Sequence, residues 1–267
     1  MKANELQIEI RIRAARIICN ARSSHIAGVF SSADILAVLY GNIIRRSKHN
    51  FFYDVFILSK GHCCAGVYAA LNCLDILSSD EIDSYGMNGS NLTSHISHKV
   101  KGVEFSTGSL GHGLPFGVGK ALAYRRQQVS KNDRDVYVLL SDGELDEGSN
   151  WEAILFAAHH KLNNLTMIID YNKYQSLDKV SNTLNLEPLA QKIRAFNWDT
   201  IECNGHSLDE LEFHLQAPKT DMPKCIICHT IKGHPVDFMI DKIEWHYKSP
   251  SESELEAIIK QIGAYWQ

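Results

Sequence analysis

Asp142 and Asn172 hold the clearest chemical potential in the chain. They lie in "VYVLLSDGELDEGSNWEAILFAAHHKLNNLTMIIDYNKYQS", residues 136–176, each two positions past an apolar run. A carboxylate, an amide oxygen and a nearby main-chain carbonyl are hard oxygen donors that suit Mg²⁺ or Ca²⁺. Gly143 permits close backbone approach to a ligand. A helix from about Asn150 points its positive end to the same place, where an anion is favoured. Metal plus diphosphate is the natural content of such a site. Spacing alone leaves a second reading open, since Asp-Gly after a strand is commonly a plain turn.

These residues need elements that bring them together. Apolar runs at 54–58, 136–140, 165–170, 199–203 and 224–231 read as strands, and helical patterns occupy 121–128, 150–162 and 207–216. Short runs without polar alternation predict strands buried on both faces, hence an α/β fold with a mostly parallel central sheet flanked by helices. In an open parallel sheet, ligands sit beyond the carboxyl ends of the strands. If 136–140 and 165–170 are neighbours, Asp142 and Asn172 share one crevice. Segments 86–111 and 171–198 read as irregular loops, and residues 1–267 as a single domain.

Composition narrows the partners. The 267 residues are 45% hydrophobic and 22% charged with a net charge of −4, and no segment concentrates Lys and Arg. No nucleic acid and no membrane is expected as a partner. The start "MKANELQIEIRIRAARIICNARSSH" reads as an amphipathic helix rather than a signal peptide or a span. Seven Cys, an odd number without small-domain spacing, suit a reducing compartment, so a cytoplasmic location is expected. Cys225 and Cys228 of "CIIC" could suggest a metal or redox pair. In a strand, residues three apart point to opposite faces, which favours two buried structural thiols.

The segment from "SDGELDEGSNWEA" to "DYNKYQS" resembles the thiamine diphosphate motif of transketolases, in which a Gly-Asp-Gly segment is followed at a distance by Asn. "SSADILAVLY" (31–40), "LSKGHCCAGVYAAL" (58–71), "GVEFSTGSLGHGL" (102–114) and "IKGHPVDFMIDKIEWHYKSP" (231–250) are similar to further family segments and fall in the family's order. The resemblance is to the N-terminal, diphosphate-binding half of a transketolase made as a separate subunit.

The resemblance implies a site. Asp142, Asn172 and the main-chain carbonyl of Tyr174 would hold Mg²⁺ (or Ca²⁺ or Mn²⁺) on the diphosphate of thiamine diphosphate. His62, Gly143 and Asn172 would contact the cofactor, with Gly108, Ser109 and Leu110 passing near its aminopyrimidine. His246 would lie over the cofactor beside the substrate, and His25 and His95 would line the substrate channel. Glu147 and Glu152 would sit at a subunit interface linking two active sites. Trp151 and "AILFAA" are expected to pack in the core or an interface.

Several positions depart from the family pattern. Ser141 replaces the first Gly of Gly-Asp-Gly, and Ser24-His25-Ile26 and Ser94-His95-Ile96 replace Gly-His-Pro. His112 stands for Gln, and Pro235 for Gly. The metal and diphosphate end is thus kept while the substrate side is altered. The implied pyrimidine-binding half, with the Glu that activates the cofactor, is expected on a complementary subunit in an α₂β₂ complex, leaving this chain incompetent alone. Three functions follow: a two-chain transketolase moving a two-carbon ketol unit between sugars, or sugar phosphates; another thiamine diphosphate reaction, such as a decarboxylating condensation; and a non-catalytic scaffolding subunit.

Overall fold

A computed structural model describes residues 1–47, 52–126 and 134–266. The last two residues of the helical pattern at 121–128 lie outside the described residues. Five strands, β1 (Val55–Leu58), β2 (Val136–Ser141), β3 (Leu165–Tyr171), β4 (Asp199–Asn204) and β5 (Lys224–His229), form one sheet in the order β1-β2-β3-β5-β4. Every pairing is parallel. β2 and β3 are neighbours, with Ser141 opposite Asp170, so Asp142 and Asn172 do emerge at one edge.

Ten α-helices surround the sheet: α1 (Ala3–Asn20), α2 (Ile26–Val38), α3 (Cys64–Cys73), α4 (Ser79–Asp83), α5 (Gly113–Arg126), α6 (Gly148–His159), α7 (Val180–Thr183), α8 (Leu189–Ala195), α9 (Leu208–Gln216) and α10 (Glu252–Tyr265) among the described residues. α7 and α8 correct the expectation of an irregular loop over 171–198. These two are short and carry little apolar repeat, and α8 is anchored chiefly by buried Leu189 and Ile193.

Strand alternation divides the interior into two layers. Val136, Val138 and Leu140 of β2 pack with Leu165, Met167 and Ile169 of β3 against α5 and α6. Leu139 and Ile168 face the other way, toward α1, α2 and α3. The same parity separates the two cysteines of β5: Cys225 belongs to the first layer and Cys228 to the second. All seven cysteines are free and buried, and burial raises the Cys225 thiol well above its ordinary range. The segment Ile26–Ile43 has the length and apolar composition of a membrane span, yet 83% of it is buried inside this fold. It is the central helix of the second layer.

Candidate active site

Strand ends and loops converge on a cavity of about 240 Å³. Lys60 and His62 follow β1, Asp142 and Gly143 follow β2, and Asn172 and Tyr174 follow β3. The segment after β5 returns across the opening with Lys232. His25 arrives at the N-terminus of α2, and the short turn Ile243–His246 delivers His246. The His25 amide donates to the His246 carbonyl at 2.9 Å, which joins those two segments.

Four buried charges organise the floor. Lys60 and Asp170 are 1% and 0% exposed and form an ion pair. Burial works against both charges, but each partner's opposite charge outweighs it: Lys60 is held above and Asp170 below the ordinary range. Asp170 also accepts from Ser31 at 2.6 Å and from Thr230. Asp142 accepts from the amides of Gly143 at 2.7 Å and Lys173 at 2.5 Å. Burial, then the charge of Asp170, pushes Asp142 up to about 7. Lys232, 1% exposed, donates to the carbonyls of Gln175 at 3.0 Å and Tyr174 at 3.4 Å and contacts His246 Nδ1 at 3.2 Å. Burial, then the charge of Lys60, lowers Lys232 to about 8. Among the described residues no carboxylate pairs with this ammonium. A buried unneutralised cation beside an incompletely compensated carboxylate calls for an anion and a cation together.

The donors fit a diphosphate and a hard metal ion. Asn172 Oδ1 accepts from the Tyr174 amide at 3.1 Å, which folds the turn that carries both residues to the cavity. No cluster of three His, Cys, Asp or Glu suited to a metal occurs among the described residues. The set therefore offers one carboxylate, and a metal held here would need further oxygen donors from a bound ligand. A Cβ on Gly143 would come within 2.8 Å of Gln175 Cγ, so only Gly permits this packing.

Imidazoles form the wall. The His25 ring lies 5.0 Å from His62, 4.9 Å from His246 and 6.1 Å from His95. Burial, with help from neighbouring cations and rings, lowers His25 to about 4, His246 to about 3, and His62 well below its ordinary value. These rings are neutral near pH 7, and a neutral imidazole can donate and accept at once. His25 Nδ1 is buried without a partner and so can bind a ligand polar group.

The cavity gathers His25, His62, His95, Gly108, Leu110, Asp142, Gly143, Asn172, Tyr174 and His246. Ser109 is exposed beside it and does not line it. Glu147 and Glu152 are exposed at the start of α6, outside the cavity. Glu147 is the N-cap of α6, with φ −79° and ψ 122°, which turns it outward. On the same helix Leu155 and Phe156 are 59% and 42% exposed, while Trp151 is half-buried and donates to the Leu145 carbonyl at 2.8 Å. His112 Nδ1 lies 3.0 Å from the Leu110 carbonyl, so the His in place of Gln props the 108–110 run.

Lys60, Lys232, Asp170 and Glu144 were not evident from the sequence. The lysines share one signal, since both occur as Lys-Gly-His, at 60–62 and 232–234. Glu144 is fully buried, accepts from Ser59 Oγ and from the Gly111 amide at 2.9 Å, and ties three loops together. A cavity of about 330 Å³ opens at the other end of the sheet near Tyr40 and Phe52, but its Asp54 is already paired with Arg45. Another, of about 470 Å³, lies beside the Tyr171–Tyr174 turn. Neither gathers the histidines and buried charges found here.

Comparison with known proteins agrees with this geometry. Residues 3–266 match the family described as transketolase, thiamine diphosphate binding domain. One of the separate subunits of the apulose-4-phosphate transketolase of Phocaeicola vulgatus is 35% identical over 97% of this chain and 93% of its own length. The 6-deoxy-6-sulfo-D-fructose transketolase subunit of a Clostridium species is 34% identical over 89% of this chain and 88% of its own. The solved transketolase of Leishmania mexicana superposes with a TM-score of 0.91 at 27% identity, covering 98% of this chain and 41% of that one. This chain therefore spans about two fifths of the solved enzyme and nearly all of the separate subunits. By sequence and by fold, the chain belongs to the transketolase family as its thiamine diphosphate-binding, N-terminal type of subunit.

Proposed function

We propose that this chain is the diphosphate-binding subunit of a two-chain transketolase that moves a two-carbon ketol unit from a ketose to an aldose. Lys232 carries the reading: a buried ammonium without a carboxylate partner among the described residues faces the same cavity as Asp142. Asp142, Asn172 and the Tyr174 carbonyl would hold Mg²⁺, and Lys232, His62 and Gly143 would face the diphosphate. When bound, thiamine diphosphate supplies the electron sink for breaking and making the carbon–carbon bond. His246 is placed to exchange a proton or hydrogen bond with substrate oxygen, and His25 and His95 to bind substrate hydroxyls. Relatives named as subunits of enzymes for a sugar phosphate and a sulfonated sugar support two further points: an anionic sugar is the substrate, and the partner is a complementary subunit. An α₂β₂ assembly would cover the exposed face of α6. Seven free thiols suit a cytoplasmic enzyme.

Co-expression with a complementary pyrimidine-domain subunit, followed by a screen of ketose donors against aldehyde acceptors, tests the reading. Ketol transfer by the complex, and none by the isolated chain, is expected. A complex that binds thiamine diphosphate but consumes only 2-oxo acids would replace it with the decarboxylating alternative.

A further inference from the structure

The segment 231–234 would not hold Lys232 over the cavity by itself, because it is a turn with exposed Ile231 at one end. Both of its ends are tied to one buried carboxylate. Asp34, 1% exposed, accepts from Arg11 Nη1 at 2.8 Å and Nη2 at 2.6 Å, and its Oδ2 also lies 2.7 Å from His206 Nδ1. His206 Nε2 accepts from the Ile231 amide at 2.8 Å. Arg11 Nε donates to the His234 carbonyl at 3.2 Å. Between these clamps, the Gly233 amide donates to the Ala27 carbonyl at 3.1 Å. Gly233 has φ +85°, and a Cβ there would meet the Met239 carbonyl oxygen at 2.6 Å, so the turn is fixed on both sides.

The bonding also fixes the imidazole. Only a ring protonated at Nδ1 and bare at Nε2 can donate to Asp34 and accept from Ile231. The His234 ring lies tilted against this imidazole with centroids 4.1 Å apart, and the Trp266 ring covers the Arg11 guanidinium at 4.8 Å. None of these groups lines the cavity. Burial would raise Asp34, yet Arg11 and then His206 outweigh it and hold the carboxyl near 2, so the anchor stays charged at any ordinary pH.

We propose that Asp34 and His206 are positioning residues for Lys232: Asp34 holds Arg11 and His206, which grip the two ends of segment 231–234 and so aim its ammonium into the cavity. The inference rests on the reading of that cavity as a diphosphate site, and it assigns a task to a network remote from the cofactor. Losing the His206–Ile231 bond should free the turn at one end while leaving the cavity's other contacts in place.

Two substitutions separate the halves of His206. His206→Gln can still accept from Ile231, whereas His206→Asn can reach Asp34 but not Ile231. In the unloaded full chain, acylation of Lys232 by acetic anhydride, read by peptide mass spectrometry, should be about fivefold to tenfold faster in His206→Asn and near the parent rate in His206→Gln. Arg11→Lys, which keeps a cation on Asp34 but frees the His234 carbonyl, should also accelerate it, and serves if His206→Asn does not fold. An unchanged rate in the folded variants overturns the proposal. In the complex with the complementary subunit, His206→Asn should weaken Mg²⁺-dependent thiamine diphosphate binding about fivefold to tenfold. It should do nothing further in a Lys232→Met background. An equal loss in that background would show an effect through stability alone and would also overturn it. If the parent complex binds no thiamine diphosphate, the proposed function fails, and the acylation rates still decide the positioning role.

Discussion

Replacing Asp142 by Asn should stabilise the unloaded chain at high pH while disabling its site. The Asp142 carboxyl would ordinarily ionise near 3.8, and burial followed by Asp170 pushes it up to about 7. The folded chain therefore holds this proton more tightly than the unfolded chain. Its contribution to stability falls as pH rises from 3.8 through 7. At ~1.4 kcal/mol per pH unit of displacement, the group costs the fold about 4 kcal/mol at pH 8, where it is held ionised, and about 2 kcal/mol at pH 5, where it is held protonated. Asn removes that cost, but its single oxygen cannot accept from both Gly143 and Lys173, a loss of about 1–3 kcal/mol. The variant should be close to the parent at pH 5 and about 1–3 kcal/mol more stable at pH 8, or roughly 2–4 °C per kcal/mol in Tm. Thermal melts followed by circular dichroism, with chelator and without thiamine diphosphate, measure this. A Tm difference that is the same at both pH values would refute the charge argument. In the complex, calorimetry should show Mg²⁺-dependent thiamine diphosphate binding severely weakened, because a cation loses its one carboxylate.

Cofactor affinity should peak between pH 7 and 8, since Asp142 must be ionised to meet a cation and Lys232 protonated to meet an anion; a dissociation constant flat from pH 6 to 9 would contradict this. His246→Ala should lower kcat by roughly 10²–10⁴-fold with a smaller change in thiamine diphosphate affinity, measured by steady-state kinetics and calorimetry on the complex. Restoring Pro at the two Ser-His-Ile segments should have unequal costs. Ile26 is the first residue of α2, where proline removes no helical bond. The Ile96 amide donates to the Gly61 carbonyl at 3.1 Å, so Ile96→Pro should lose about 1–3 kcal/mol in denaturant unfolding.

The sheet was legible because its inner strands β2, β3 and β5 are short apolar runs, which burial on both faces tolerates, whereas the edge strand β4 alternates buried and open positions. Asp142 and Asn172 were legible for a related reason: a polar residue just past a buried strand emerges into the crevice at the strand's carboxyl end. α7 and α8 were hidden because neither is long enough for a repeat to show. Lys60, Lys232 and Asp170 were hidden more deeply. A lysine or aspartate in sequence reads as solvated, and only pairing across the fold, Lys60 with Asp170 110 positions apart, makes burial tolerable. Glu144 looked like one more carboxylate near a helix start. Its role depends on Ser59, 85 positions away on another strand end.

The alternation of β3 makes insertions at this strand unusually consequential. Ile169 faces the layer of α5 and α6, while Asp170 shares the opposite parity with Ile168 and meets Ser31 and Lys60 there. One residue added between Leu165 and Ile169 would exchange the two faces for everything beyond it. Asp170 would enter the apolar layer with no cation, and Lys60 would lose its anion. A residue added beyond Lys173, past the strand, leaves that parity untouched. Length variation in such a chain is thus confined by the side chains' two-step rhythm to the connecting segments, even where the strand's composition would accept one more apolar residue.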